Sequence, residues 1–239
     1  MNGRAVVDTE TAESAFVGAG ILGLILEVLV ISRMYHRPLD TLLVTFGVSL
    51  ILQQAAKDIF GAQNVEVRSP TWLRGRWTLF DVTMSHTRLF IMALVAVVVF
   101  GVWLYLNRSS QGRRMRAVMQ HRELAAVSGL PTRRVDAATF FLGSGLAGIA
   151  GVAITLIGAI GSQVGTNYVI DAFLVVIVGG LGKLRGAAIA AFALGIINSF
   201  AEYNTSASIG KAILFVCVIA FLQFRPNGLV TFRTRGLTA

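Results

Sequence analysis

Apolar residues in this chain gather into long runs separated by short polar or basic stretches. A helix crossing hydrocarbon needs about 20 mostly apolar residues, because each residue rises roughly 1.5 Å and every backbone polar group must be satisfied within the segment. Ala15 to Ser32, Thr41 to Ala56, Leu89 to Leu106 and Ala137 to Ile160 fit that requirement. Ile209 to Phe224 is slightly short and carries one charge, Lys211, near its start, but it too is expected to span. Two shorter runs, Ile170 to Leu181 and Gly186 to Phe200, are joined by Gly182 to Arg185 and read either as two tilted spans or as one re-entrant hairpin. The pattern predicts an all-α fold, a polytopic transmembrane bundle of about seven membrane segments including the short helical pair, and a single domain over residues 1–239.

Composition agrees with lipid as the solvent. Of 239 residues, 55% are hydrophobic and 14% charged, against roughly 25% charged in an ordinary soluble domain. A net charge of +9 would suit nucleic acid, but the apolar runs decide against that partner. The basic residues are instead sorted along the chain. Residues 33–40, 107–136, 182–185 and the tail from Arg225 hold fourteen of the 21 Lys and Arg, seven of them in 107–136, which makes these segments cytoplasmic. Trp72, Trp77, Trp103 and Tyr105 then fall near membrane interfaces, where amphipathic rings are favoured. On the same reasoning Met1 to Ser14 lies outside, although it lacks the basic start of an export signal.

The chain offers little for chemistry. Cys217 is the one cysteine, so there is no internal disulfide and no thiolate cluster. His36, His86 and His121 stand in separate connections without metal-ligand spacing. Gly179, Gly180, Gly182 and Lys183 imitate a phosphate loop, but Leu184 follows the lysine and Ile177 stands where the first glycine is required. These glycines suit a tight turn between two helices. No catalytic group, metal site or cofactor is expected, and the chain is not read as an enzyme.

Several side chains invite other roles. Gly143, Ala147 and Gly151, and likewise Ala187, Ala191 and Gly195, recur every four residues and form small-residue faces for helix packing. Thr41, Thr45, Ser49 and Gln53 align along one side of a helix. The stripe either lines a pathway for a small neutral solute or bonds back to its own helix. Asn198 is a second pathway candidate. Glu27 and Asp171 are carboxylates within or beside apolar runs, where an ionisable group either marks a functional site or is structural, and the structural reading is favoured: Glu27 for its closeness to Arg33 and the inner interface, and Asp171 as complementing the dipole at a helix start. Within 107–136, Gly112 and Gly129 bracket helix-forming residues before Pro131, predicting a short cytoplasmic helix. That helix either rests on anionic lipid or docks a cytoplasmic partner.

Ordered motifs run almost the length of the chain: Arg37-Pro-Leu-Asp-Thr-Leu-Leu with Gly47 to Gln54, Phe60-Gly-Ala-Gln-Asn-Val, Pro70-Thr-Trp-Leu, Arg116-Ala-Val-Met-Gln, Gly143 to Gly151, Asp171-Ala-Phe with Gly179-Gly-Leu-Gly, and Arg225-Pro-Asn-Gly-Leu. In these the chain resembles the inner-membrane permease of branched-chain amino acid type ABC importers, and more closely its urea-transport branch. The resemblance implies a multi-pass protein of the bacterial inner membrane that moves urea or short amides inward. The alternatives are a branched-chain amino acid permease and a non-transporting, truncated membrane scaffold. It also implies cytoplasmic ATP-binding subunits that hydrolyse the ATP, a second homologous permease subunit and a periplasmic substrate-binding protein. The loop patterned Glu123-x-Ala-Ala-x-x-Gly129 would dock on the ATP-binding subunit, with Gly112, Arg116, Gln120, Glu123, Ala125, Ala126 and Gly129 as the coupling residues. Members usually begin with further helices bearing an Asn-x-Ala-His-Gly-like segment. None occurs here, so an N-terminally truncated permease is expected.

Overall fold

The computed structural model describes residues 9–34, 38–61, 63, 76–79, 82–180, 182–204, 206–225 and 228–229. The described residues form α1 (Thr9–Leu29), α2 (Pro38–Phe60), α3 (His86–Arg108), α4 (Ser110–Gln120), α5 (Arg122–Val127), α6 (Thr132–Thr155), α7 (Val164–Gly179), α8 (Leu184–Asn204) and α9 (Ala207–Phe224). A small antiparallel hairpin, β1 (Arg76–Leu79) with β2 (Val82–Ser85), pairs Arg76 with Ser85 and Leu79 with Val82. The architecture is the expected all-α polytopic bundle, with the hairpin as an unforeseen addition in the connection before α3. The chain divides into two compact units, residues 1–164 and 165–239.

Five helices, α1, α2, α3, α6 and α8, are long and apolar enough to cross a membrane, while α7 and α9 are shorter apolar helices. This reverses the expected order for the last two runs: α8 is a full-length span and α9 falls short. Helix α8 gains its length because Leu184 and Arg185 already belong to its first turn and Ala201, Glu202 and Tyr203 continue it beyond Phe200. Helix α6 likewise begins at Thr132, directly after Pro131, and ends at Thr155 instead of reaching Ile160. Helix α2 opens on Pro38, whose missing N–H is one a first turn leaves unused, with Asp40 complementing the dipole. It closes at Gly61, where φ of 89° needs a residue without a side chain.

In the first unit α1 and α6 pack antiparallel and in close approach. A Cβ added at Gly148 would collide with the Ala15 carbonyl, one at Gly23 with Ser144, and ones at Gly20 and Gly145 with Phe141 and Phe16. Phe16 and Phe141 meet edge to face, their centroids 5.7 Å apart. Lipid supplies no hydrophobic force between helices, so such close contact is what dispersion requires. The face used differs from the predicted one. Gly143 and Gly151 have open space where a side chain would go, because α6 turns Gly145 and Gly148 toward α1 instead. Glu27 is buried to 2% exposure in this unit, with one carboxylate oxygen, Oε2, that accepts no hydrogen bond among the described residues, while the Arg33 side chain donates to the Leu29 carbonyl.

In the second unit Leu174 and Val178 of α7, Ala190 and Leu194 of α8, and Leu214 and Val218 of α9 form one aliphatic core. Here too the small-residue face shifts: Gly186, Ala190 and Leu194 are buried, whereas Ala191 and Gly195 are exposed. The α7–α8 connection is the expected tight turn, with positive φ at Gly180 (94°) and Gly182 (82°). The chain after α9 returns to this turn, where the Leu229 N–H donates to the Val178 carbonyl at 2.8 Å. Gly228, at φ 73°, sits so close that a Cβ would lie 2.8 Å from the Gly180 backbone. Gly180 of the Gly-Gly-Leu-Gly motif and Gly228 of the Arg-Pro-Asn-Gly-Leu motif therefore meet in one backbone contact.

Both close approaches limit what a side chain can add. Gly148→Val overpacks against a backbone that cannot give way, so it should destabilise the α1–α6 pair by about 1–3 kcal/mol and lower the melting temperature in detergent, while Gly151→Val leaves it unchanged. Gly228→Ala combines an unfavourable φ with a collision, so thermal unfolding should move down by several degrees relative to Gly165→Ala, which faces open space.

Candidate functional site

The segment between α3 and α6 carries the densest set of predicted residues. It folds as two helices, not the single one expected. Helix α4 starts at a cap in which Ser109 Oγ accepts from the Gln111 and Gly112 N–H groups at 3.0 and 3.4 Å. His121 then adopts an extended backbone (φ −149°, ψ 94°) and breaks the run before α5. Neither glycine nor proline marks that break, which is why the pattern read as continuous. Helix α5 ends in a Schellman turn, with Gly129 N–H donating to the Ala126 carbonyl at 3.0 Å and Leu130 N–H to the Ala125 carbonyl at 3.1 Å. Gly129 has φ of 79°, so its place in the motif is conformational.

The elbow has an inner and an outer side. Met115, Val118, Ala125 and Val135 form its buried core, against which Leu106 and Leu130 pack. Gly112 faces inward as well, pressed against the Leu106 backbone so closely that no side chain fits. Arg116 donates to Asn107 Oδ1 at 2.8 Å, tying α4 to the end of α3. Arg122 pairs with Asp136 at 2.7 Å, tying α5 to the first turns of α6. Of the seven coupling residues, Gly112, Arg116 and Ala125 thus hold the elbow together, while Gln120, Glu123, Ala126 and Gly129 lie on its exposed side. That side also presents Met119, Leu124 (63% exposed) and Val127 (88% exposed), which the sequence pattern did not single out. An apolar residue left bare on a rigid elbow is the available signal.

On α2 the aligned polar stripe is present. The Thr45 hydroxyl donates to the Thr41 carbonyl at 2.9 Å, the Thr41 hydroxyl donates to the Met34 carbonyl at 3.0 Å, and Gln53 donates through Nε2 to Ser49 Oγ at 3.1 Å. Of these, the Thr45 bond is back-bonding within the helix, the Thr41 bond reaches the segment before α2, and the Gln53–Ser49 bond joins two side chains of the stripe. The Phe60 to Leu73 stretch, together with His36 and Arg37, lies largely outside the described residues.

The second unit holds a polar layer that the sequence only partly revealed. Asp171 does not stand at a helix start, because α7 begins seven residues earlier at Val164. Its carboxylate pairs with Lys211 Nζ of α9 at 3.7 Å. On α8, Asn198 donates to Glu202 at 3.0 Å, and the Glu202 side chain lies beside Gly210, the residue before Lys211. Lys211 was recognisable as an exception within an apolar run. Asp171 was singled out as well, but their pairing was not legible, because the two stand on different helices. An open apolar cavity of about 270 Å³ next to Asn198 is lined by Ser199, Phe200 and Tyr203.

With this geometry in place, the chain can be compared with known proteins. It matches the family described as branched-chain amino acid transport system, permease component, over residues 12–222, and it belongs to that family. It is 28% identical over 212 residues to the high-affinity branched-chain amino acid transport system permease protein BraD of Pseudomonas aeruginosa, covering 84% of this chain and 68% of that protein. Against the corresponding LivH of Escherichia coli K12 it is 26% identical over the same shares. A probable branched-chain amino acid transport permease LivH of Methanocaldococcus jannaschii is 29% identical over 149 residues, 59% of this chain and 47% of that one. No solved structure matches the chain. These relatives favour the amino acid alternative over the urea reading, and with the apolar helices they make the chain a multi-pass inner-membrane protein.

The Arg122–Asp136 bond is charge-assisted and half shielded, so removing it should loosen α5 by on the order of 1 kcal/mol. Arg122→Ala is expected to speed amide hydrogen exchange across α5 without altering exchange in α8 and α9.

Proposed function

We propose that this chain is a transmembrane permease subunit of an ABC importer for branched-chain amino acids. It is not itself an ATPase: ATP-binding subunits on the cytoplasmic side supply the energy, a second related permease completes the pathway, and a periplasmic binding protein delivers substrate. The observation that carries this reading is the family match over residues 12–222. The elbow of α4 and α5 is the part suited to coupling. Its core and two side-chain ties make it rigid, and its exposed Leu124 and Val127 give an ATP-binding subunit something to grip. Pressure on such an elbow passes to α3 through Arg116 and to α6 through Arg122. Thr45, Ser49 and Gln53 on α2 and Asn198 on α8 are the pathway residues of this proposal.

The test uses a strain stripped of its own branched-chain amino acid uptake and given the complete transporter. Labelled leucine should accumulate, and deleting this chain should abolish accumulation. Leucine uptake indifferent to the deletion, or loss of urea uptake in its place, would overturn the reading. Leu124→Glu combined with Val127→Glu should lower co-purification of the ATP-binding subunit at least ~10-fold, since charge replaces the apolar grip.

A further inference from the structure

We infer that the Asp171–Lys211 ion pair is a recognition element for the two charges of the amino acid in transit. The inference rests on the proposed function and deepens it. One helical turn from the aliphatic core of the second unit, all three helices change character together. Asp171 stands three residues before Leu174, Lys211 three before Leu214, and Asn198 four after Leu194, so each polar group lies on the core-facing side of its helix. Glu202, which accepts from Asn198, extends the layer toward Gly210.

An ion pair set among apolar helices is expensive unless it meets water or protein. This one is half open, with side-chain exposures of 42% for Lys211 and 39% for Asp171, and its charges stand 3.7 Å apart, looser than a charge-assisted hydrogen bond. A pair built only to pin α7 to α9 gains most from short, shielded contact. A loose and accessible pair is suited to exchanging partners. An α-amino acid carries an ammonium and a carboxylate on one carbon. It can insert so that Lys211 takes the carboxylate and Asp171 the ammonium, so that each charge of this pair faces an opposite charge before and after. Neutral solutes such as urea offer no such exchange.

The experiment uses the assembled transporter in proteoliposomes, with labelled leucine uptake and ATP hydrolysis stimulated by leucine-loaded binding protein read together. Asp171→Asn and Lys211→Gln should each lower uptake per ATP at least ~10-fold while stimulated hydrolysis stays within about twofold. If a single variant does not assemble, the double variant, which removes both charges of the pair together, should show the same split. Lys211→Cys in a Cys217→Ser background should react with a water-soluble thiol reagent and be protected by leucine. Normal uptake per ATP in the neutral variants overturns the inference. So does full rescue by the exchanged pair Asp171→Lys with Lys211→Asp, which a purely structural tie predicts, or a Lys211→Cys thiol that never reacts because a neighbouring subunit covers it. A wild-type transporter that takes up no leucine removes the amino acid reading itself, a result distinct from normal transport by the variants.

Discussion

Hydrocarbon cannot solvate a peptide group or a charge, and that constraint organises this molecule. Inside a bilayer every backbone N–H and C=O must be answered within its own helix, so the spans are helices and their side-chain hydroxyls bond back to their own carbonyls, as Thr45 does to Thr41. Helix association cannot draw on the hydrophobic effect, so it depends on how closely two backbones approach. The α1–α6 contact answers with Gly20, Gly23, Gly145 and Gly148, positions where a methyl group would already collide. The second unit uses the same device at Gly179, pressed on the Ala187 backbone, and at Gly228 against Gly180.

Where the chain leaves the apolar helices the rules change. The elbow of α4 and α5 is held by means that work in water: a side-chain cap at Ser109, a Schellman turn at Gly129, a small aliphatic core, and polar ties at Arg116 and Arg122. Each is modest alone, yet they act on a segment of only 18 residues between Ser110 and Val127. Together they favour a body that tilts as a unit over one that bends. Transmission of force requires such stiffness, because a frayed segment would absorb a push instead of passing it to α3 and α6.

The existence and rough positions of the apolar helices could be read from hydropathy alone, because lipid imposes a length and a polarity that any sequence must show, but not where α6 ends or which of α8 and α9 is full length. The face each helix turns inward could not. Gly143 and Gly145 are equally plausible packing positions by composition, and only the neighbour α1 decides between them. The break at His121 was hidden for a related reason: it follows from the packing of Met115, Val118 and Ala125 into one core and not from a local breaker. At the site, the exposed motif residues Glu123 and Ala126 were legible as pattern, whereas the division between those that hold the elbow and those that face outward needed its geometry.

The two substrate readings rest on two different chemistries in the chain. The α2 stripe, Thr41 to Gln53, offers hydroxyl and amide groups without charge, as a neutral amide would require, and it overlaps one of the motif stretches in which the chain resembles the urea branch. The layer on α7, α8 and α9 offers separated opposite charges, which a neutral amide does not need and a zwitterion does. A stripe of hydroxyls has an inexpensive structural use inside a helix, since back-bonding satisfies each donor where it stands. A half-open ion pair, with both side chains about two fifths exposed, contributes little as a tie between α7 and α9. The stripe and the charged layer are thus two different kinds of polar surface, and the amino acid reading is carried by the family to which the chain belongs, not by either of them alone.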